Sequence, residues 1–448
     1  MMKPVTDTKF WGGIVLLFVL ITPCIPKIGI SEQITVYPSE FFLLLSFPFL
    51  VFSKKFEIQK NLYILWGFIL FSTLFSQLFL QNLGSILRCI KEIVYIPIFY
   101  LAYKSKWLKW KYLSYIFIIS SIVNLSYVVV SGFTSSSLNI WDVDTIFSGL
   151  SNKYFDLKNF TIVRLEGKGS HNIFSDYCSI ALCSTIFAYK RRQIDSKILI
   201  IVSILALTCV GMSVSREGLI VFGSMLMFYF FAKFKYYKIT FLQIVVLILI
   251  LVCIVAIVIY FGDRIAIVQK VLYTQKSISD TGEENNIALR IGAWQVYLES
   301  IIHNPYMLFT GYGYNFDYYQ SFLTFYISKS FVAIPESMFV ECVMCGGLVS
   351  LFGGIKLWLY IFKIISRVKC RSNRFALMGL FYGLLFGSIF SGAAVFADLL
   401  YGHILLFLGM ILRETVDNDK KYNINKLKYI SILLNNDYGK TFTNNSKK

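Results

Sequence analysis

ALRIGAWQVYLESIIHNPYMLFTGYGYNFDYY occupies residues 288–319, and PESMFVECVMCGGLVSLFGG occupies residues 335–354. In the first stretch Ile291, Trp294, Leu298, Ile301 and Ile302 recur at helical spacing, which predicts an amphipathic helix. His303-Asn304-Pro305 ends that helix, because proline disfavours helical geometry in the residue before it. Gly311-Tyr312-Gly313 predicts a tight turn. Pro335 suits the first turn of a new helix, and the residues after it are apolar enough to enter a bilayer. Arg290 therefore opens a surface helix, and Glu336 stands at the mouth of a membrane helix. The rest of the chain is expected to place both groups on one side of a membrane.

Composition sets the class. Of 448 residues, 56% are hydrophobic, 17% aromatic and 15% charged. Soluble domains do not have this balance. Apolar runs long enough to cross a hydrocarbon core of about 30 Å recur along nearly the whole chain. The runs are continuous rather than alternating, which excludes a transmembrane barrel. The expected fold is all-α: a polytopic transmembrane helical bundle of about twelve spans, with short helices in a large extracytoplasmic loop. The net charge of +18 does not point to nucleic acid. Its basic residues cluster in short loops, as the positive-inside bias and anionic lipid headgroups produce. Most of the nine cysteines lie inside apolar runs, where a thiol acts as a small hydrophobe. Cys342 and Cys345 have CxxC spacing but no second pair, so neither a metal site nor a redox site is expected there.

The basic loops SKKFEIQK (53–60), KSKWLKWK (104–111), KRRQIDSK (190–197), KFKYYK (233–238) and KIISRVKCRSNR (363–374) set the sidedness. With twelve spans and both termini cytoplasmic, each of these loops falls inside. The outer loops 133–171 and 262–334 and the SVSREG turn (213–218) then face outward. Residues 1–413 form the membrane domain, and 414–448 form a polar cytoplasmic tail. The fourth span is expected over about 86–103, and the tenth over about 336–356.

Positive charge on the outer side opposes the insertion bias and calls for a reason. Arg88 and Lys91 lie three apart on one helical face of the fourth span. Arg164 lies in TIVRLEGKGSHN, Arg216 in the seven-eight turn, and Arg290 at the start of the amphipathic helix. Each can be read as a snorkelling or ion-paired residue, with Glu92, Glu166 and Glu217 at hand as partners. Together they read as a phosphate site, because arginine binds phosphate through charge-assisted, bidentate hydrogen bonds. Such a cavity suits a lipid-linked phosphate or pyrophosphate.

This pattern resembles the O-antigen ligase/polymerase superfamily, most closely the Wzy-type O-antigen and capsular polysaccharide polymerases. The similar elements are RLEGKGSHN (164–172), SREG (215–218), RIGAW (290–294), the Gly311-Tyr312-Gly313 turn, and Pro335-Glu336-Ser337 leading into CGGLVSLFGG (345–354). The ligases carry a His-Asn pair where this chain has Glu336-Ser337. That departure favours a polymerase and moves the candidate base from imidazole to carboxylate.

The resemblance implies a multi-pass protein of the bacterial cytoplasmic (inner) membrane, acting in lipopolysaccharide or capsule synthesis. Its donor would be a glycan on undecaprenyl pyrophosphate at the outer face. It implies membrane lipids around the chain, a chain-length regulator and a flippase as partners, and no metal or cofactor. The chemistry needs a base at the acceptor hydroxyl and cations on the developing pyrophosphate charge. Glu336 is the expected base, with Glu299 and Glu341 as lesser candidates. Arg290 and Arg216 are the expected catalytic cations. Arg164, His171, Arg88 and Lys91 are expected to bind substrate, and Tyr312 and Tyr314 to stack on sugar. Aromatics are also expected at any membrane interface. Direct attack by the hydroxyl would invert the anomeric carbon. The alternatives are a ligase that joins the glycan to a different acceptor, and a lipid-linked oligosaccharide flippase. A flippase should carry charges along a central cavity between repeat-related halves, whereas here the charges concentrate at span ends and in one large loop.

Overall fold

The computed structural model describes residues 8–24, 28–31, 34–36, 38–50, 57–78, 83–133, 153–157, 160–164, 171–213, 215–234, 294, 301–302, 305–314, 337–390 and 401–416. Among them the chain is mostly helical. The first half holds α1 (Thr8–Ile21), α2 (Pro38–Leu50), α3 (Glu57–Ser76), α4 (Leu83–Tyr95), α5 (Pro97–Lys104) and α6 (Trp110–Phe133). The second half holds α7 (His171–Lys190), α8 (Ser196–Ser213), α9 (Arg216–Phe234), α10 (Met307–Thr310), α11 (Met338–Ser366), α12 (Arg371–Phe390) and α13 (401–416).

Two small antiparallel hairpins accompany the helices. β1 (Ile28–Ser31) pairs with β2 (Ile34–Val36), and β3 (Lys153–Leu157) pairs with β4 (Phe160–Arg164). The second hairpin sets Arg164 opposite Lys153 in register.

Three helices, α3, α8 and α11, are long and apolar enough to cross a membrane. Shorter apolar helical stretches run over Trp11–Cys24 and Glu217–Ala232. This is a multi-pass membrane protein. The expected ninth span, about 240–261, lies outside the described residues. Ile200, Ile204 and Leu207 recur along α8 and stand exposed, a stripe suited to lipid chains.

Two expected spans are not continuous helices. The fourth divides into α4 and α5 at Ile96, because Pro97 cannot donate to the carbonyl one turn back and crowds it. In α11, Gly346 and Gly347 leave helical geometry, with φ −139° and +65°. Gly347, at ψ −165°, occupies a region open essentially to glycine alone.

Close packing is built on glycine. Gly379, Gly383 and Gly387 line one face of α12 at four-residue spacing, and α9 lies against them. A Cβ on Gly379 would meet the Met225 Cα at 2.9 Å, and one on Gly383 would meet the Val221 Cα at 2.7 Å. Small residues at this spacing let membrane helices approach backbone to backbone. α11 packs on α3 in the same way: Gly353 faces the Leu65 backbone, and the Ser350 hydroxyl donates to the Leu65 carbonyl at 3.1 Å. Residues 401–412 of α13 are buried on every side. A helix apolar all round belongs in the middle of a bundle. Tyr401 meets Tyr95 and Trp66 on one side of α13, and His403 meets Tyr177 on the other. Two residues along a helix point to opposite faces, so α13 separates two polar regions.

Candidate active site

The first region forms where the large loop returns to the membrane. Pro305 and Tyr306 start the short helix α10, and the Gly311 N–H closes it on the Met307 carbonyl at 2.8 Å. Gly311 and Gly313 both have positive φ, +66° and +69°, so the predicted tight turn is present and needs its glycines. The turn docks into the break in α11. The Tyr312 N–H donates to the Met344 carbonyl at 2.5 Å, and the Gly313 N–H donates to the Cys345 carbonyl at 3.0 Å. These carbonyls lie at the helix break, where the in-helix ladder is interrupted. The turn thus satisfies backbone groups that would otherwise be costly at membrane depth. The backbone of α10 passes so close to Gly347 that a Cβ there would strike the Phe309 carbonyl.

Tyr314 fastens the turn to three helices. Its N–H donates to the Thr73 hydroxyl of α3 at 3.0 Å, and its carbonyl accepts from the Ser85 hydroxyl of α4 at 2.9 Å. Its ring stacks on Trp66 with centroids 6.0 Å apart. The Arg88 guanidinium of α4 lies 4.5 Å from the ring centroid. The Glu341 carboxylate of α11 lies near the phenol. Burial pushes this phenol well above its ordinary range, and the Glu341 charge raises it further while Arg88 opposes both. The hydroxyl therefore stays protonated.

α4 carries the rest of the region. Arg88, Lys91, Glu92 and Tyr95 recur at helical spacing and form a charged stripe in an apolar bundle. Lys91 bridges to Glu40 of α2 at 2.9 Å, and the Tyr95 hydroxyl donates to the same carboxylate at 2.8 Å. Glu40 was not among the partners that sequence offered for Lys91. Ionisable groups inside a membrane are expensive and are kept for function or as pairs. This stripe mixes two cations with Glu40, Glu92 and Glu341.

The second region lies around the start of α9. Ser215 caps that helix: its hydroxyl accepts the Gly218 N–H at 3.0 Å and donates to Asn172 of α7 at 2.6 Å. The Ser175 and Ser213 hydroxyls meet at 2.6 Å. Gly218 leaves no room for a side chain beside Ser175. Next to Ser175, Asp176 is fully buried (0% exposed), and its carboxylate oxygens find no hydrogen-bond partner among the described residues. Asp176 and Glu217 lie close enough to repel each other. Glu217 fits against Gly387, where a Cβ would come within 2.8 Å of its carboxylate oxygen.

The expected site residues divide among these places. Arg88, Lys91 and Tyr314 belong to the first region, with Tyr312 in the docked turn. Tyr312 and Tyr314 are each 3% exposed, so the structure makes them anchors of the turn and gives them no open face for a sugar. Arg216 opens α9 and His171 opens α7, beside the second region; Arg164 ends β4. The side chains of these three, and all of Arg290, Glu299 and Glu336, lie outside the described residues. The helix expected to begin at Pro335 begins at Met338, after an extended Ser337. Glu341 takes the first-turn position. Sequence reasoning missed Glu40 and Asp176 as site residues and took Glu92 only as an ion-pair partner. Each is an acid in an apolar run, and that is the signal by which all three can be found.

Residues 201–355 match the family model described as O-antigen ligase. The match runs from α8 through the docked turn into α11. It takes in SREG, RIGAW, the Gly311-Tyr312-Gly313 turn and Pro335-Glu336-Ser337, while RLEGKGSHN lies before it. No curated protein and no solved structure matches the chain. The match supports the O-antigen ligase/polymerase superfamily and a ligase or polymerase function in polysaccharide synthesis.

Proposed function

We propose that this chain is a polysaccharide polymerase. It moves a growing glycan from undecaprenyl pyrophosphate to the next lipid-linked repeat unit at the outer face of the cytoplasmic membrane. The observation that carries this reading is the O-antigen ligase match over 201–355, with a carboxylate and a serine where a ligase would have its His-Asn pair. A joined pair of reactants held in place needs little beyond a base and charge stabilisation. Glu336, just ahead of α11, accepts the proton of the acceptor hydroxyl. That oxygen bonds to the anomeric carbon, and the bond from that carbon to the lipid pyrophosphate breaks. The pyrophosphate leaves with the electron pair, and the configuration inverts. Arg216 and Arg290 offset its charge, with Arg164 and His171 on the substrate. No metal enters these steps. In this reading residues 1–413 form the membrane enzyme, 414–448 the tail, and both termini lie inside, although α13 itself runs on to residue 416.

The test is turnover of synthetic lipid-linked repeat units by the purified protein. Arg216→Ala and Arg290→Ala should abolish polymer in folded protein, and Lys at either position should restore it only in part. Glu336→Gln should slow turnover by about 10²–10⁴-fold while donor still binds. Transfer to a different acceptor with no chain extension would mean a ligase instead. Near-normal turnover by Glu336→Gln would remove Glu336 as the base.

A further inference from the structure

We propose that the α5–α6 turn and the α7–α8 turn together form a binding site for the headgroup of an anionic phospholipid. The same site would serve a ligase or a polymerase, so it stands apart from the reaction. KSKWLKWK (104–111) holds no acid, and KRRQIDSK (190–197) holds only Asp195. Lys104, Lys106 and Lys109 stand exposed on the first turn, and Lys190, Arg191 and Arg192 on the second. The end of α13 pins both turns. The Arg413 guanidinium donates to the Ser105 carbonyl and, at 2.6 Å, to the Leu108 carbonyl. The Glu414 carboxylate accepts from the Trp110 Nε1–H at 2.8 Å and pairs with Arg191 at 3.1 Å. Among the described residues, Arg191 is the one cation of those six that pairs with an acid. The Gln193 side chain accepts the Lys111 N–H at 3.3 Å, which ties the second turn directly to the first. Cations from two separate loops are thereby gathered on one surface.

The positive-inside bias accounts for a basic turn, but not for the geometry of this one. The Arg192 and Gln193 N–H groups close α7 on the Tyr189 and Ala188 carbonyls, each at 2.9 Å, in a Schellman ending. The left-handed position of that ending, at φ +54°, holds Arg192, where glycine is the usual residue. The chain thus accepts backbone strain to carry a guanidinium there, and strain of this kind is kept where it serves a function. The same ending delivers Gln193 to the neighbouring turn. The surroundings fit lipid rather than a soluble polyanion. The second turn leads into α8, a helix long and apolar enough to cross a membrane. Trp107 is exposed beside Tyr112, with ring centroids 6.4 Å apart, and Lys104 lies 5.6 Å from the Tyr100 ring centroid. Aromatic rings interleaved with cations suit the headgroup layer, and cations near a membrane surface attract anionic lipid.

The test uses the purified full chain in neutral detergent. Phosphatidylglycerol is titrated in and followed by thermophoresis, with phosphatidylcholine and inorganic phosphate as competitors. Phosphatidylglycerol should bind, and neither competitor should displace it. Arg192→Gly should weaken binding roughly fivefold, the share of one cation near a membrane surface. Its thermal unfolding midpoint without lipid should hold or rise, because glycine relieves the strain. Lys106→Gln and Lys190→Gln, one on each turn, should each weaken binding by about the same factor. Gln193→Ala removes no charge, yet should cost roughly threefold, because the turns lose the hydrogen bond between them. Unchanged affinity in Gln193→Ala would reduce the site to diffuse surface charge and overturn it. Unchanged affinity in Arg192→Gly, or a lowered midpoint in that variant, would give Arg192 a structural role and overturn the proposal. Equal binding of phosphatidylcholine, displacement by inorganic phosphate, or binding of neither lipid would reject a phospholipid headgroup as the occupant. Should Gln193→Ala fail to fold, the two lysine variants decide: a loss confined to one turn rejects the shared site.

Discussion

The two polar regions on either side of α13 handle charge in opposite ways. Around the docked turn, acids and cations are interleaved: Lys91 with Glu40, Arg88 beside Tyr314 and Glu341. Around the start of α9, Asp176 and Glu217 sit among serines, and the one basic group of the SREG motif, Arg216, has its side chain outside the described residues. Removing half of a buried pair strands the other half, whereas neutralising a like-charged neighbour relieves repulsion. The turn region is thus built to persist as it stands. The α9 region gathers its acids among serines instead, with Asp176 wholly buried.

The largest effect is expected where the turn meets the helix break. Gly347→Ala forces a side chain into a conformation that costs about 1–3 kcal/mol for non-glycine residues, and drives its Cβ into the Phe309 carbonyl as well. Thermal unfolding followed by fluorescence-detected chromatography should show a steep loss of folded protein. An unshifted transition would mean that the turn does not seat in α11. The sharper comparison sets Glu341→Gln against Asp176→Asn. The first removes a charge that Arg88 and Tyr314 both attend, and should destabilise by roughly 1–3 kcal/mol. The second removes one of two repelling carboxylates, and should leave the unfolding midpoint unchanged or raise it. The reverse order would erase the contrast between the regions.

Gly387→Ala probes the α9 region more gently. Its methyl would press on the Glu217 carboxylate and shift the start of α9, next to Arg216. Turnover should fall several-fold while the midpoint moves by less than for Gly347→Ala; equal losses in both readouts would make the position purely structural. The smallest effect is assigned to Thr73→Val, which takes the hydroxyl partner from the Tyr314 N–H. A loss of about 1 kcal/mol is expected, and no change at all would mean that another group takes over that N–H.

Several features can be read directly along the chain. Gly311 and Gly313 two residues apart signal a turn, because glycine reaches positive φ without steric cost. Pro97 is equally visible, yet an apolar run on both sides disguises the break it makes between α4 and α5. Gly346 and Gly347 read as part of a helix, since two glycines in an apolar stretch look like packing residues until a turn is found docked against them. The Arg88 and Lys91 spacing places both on one face correctly. Their partners cannot be read, because Glu40 lies 51 residues before Lys91 and Glu341 lies 253 residues after Arg88 along the sequence.

The amino-acid sequence by itself determined the membrane class, the positions of most helices and a set of arginines as candidates, because hydropathy, charge and backbone preference act over one or two turns of chain. Tertiary structure alone decided which acid meets which cation, that Tyr312 and Tyr314 point inward, and that α13 divides the bundle into two regions. Those outcomes depend on contacts between segments far apart in the chain, selected by the need to satisfy buried polar groups together, and no local pattern encodes that requirement.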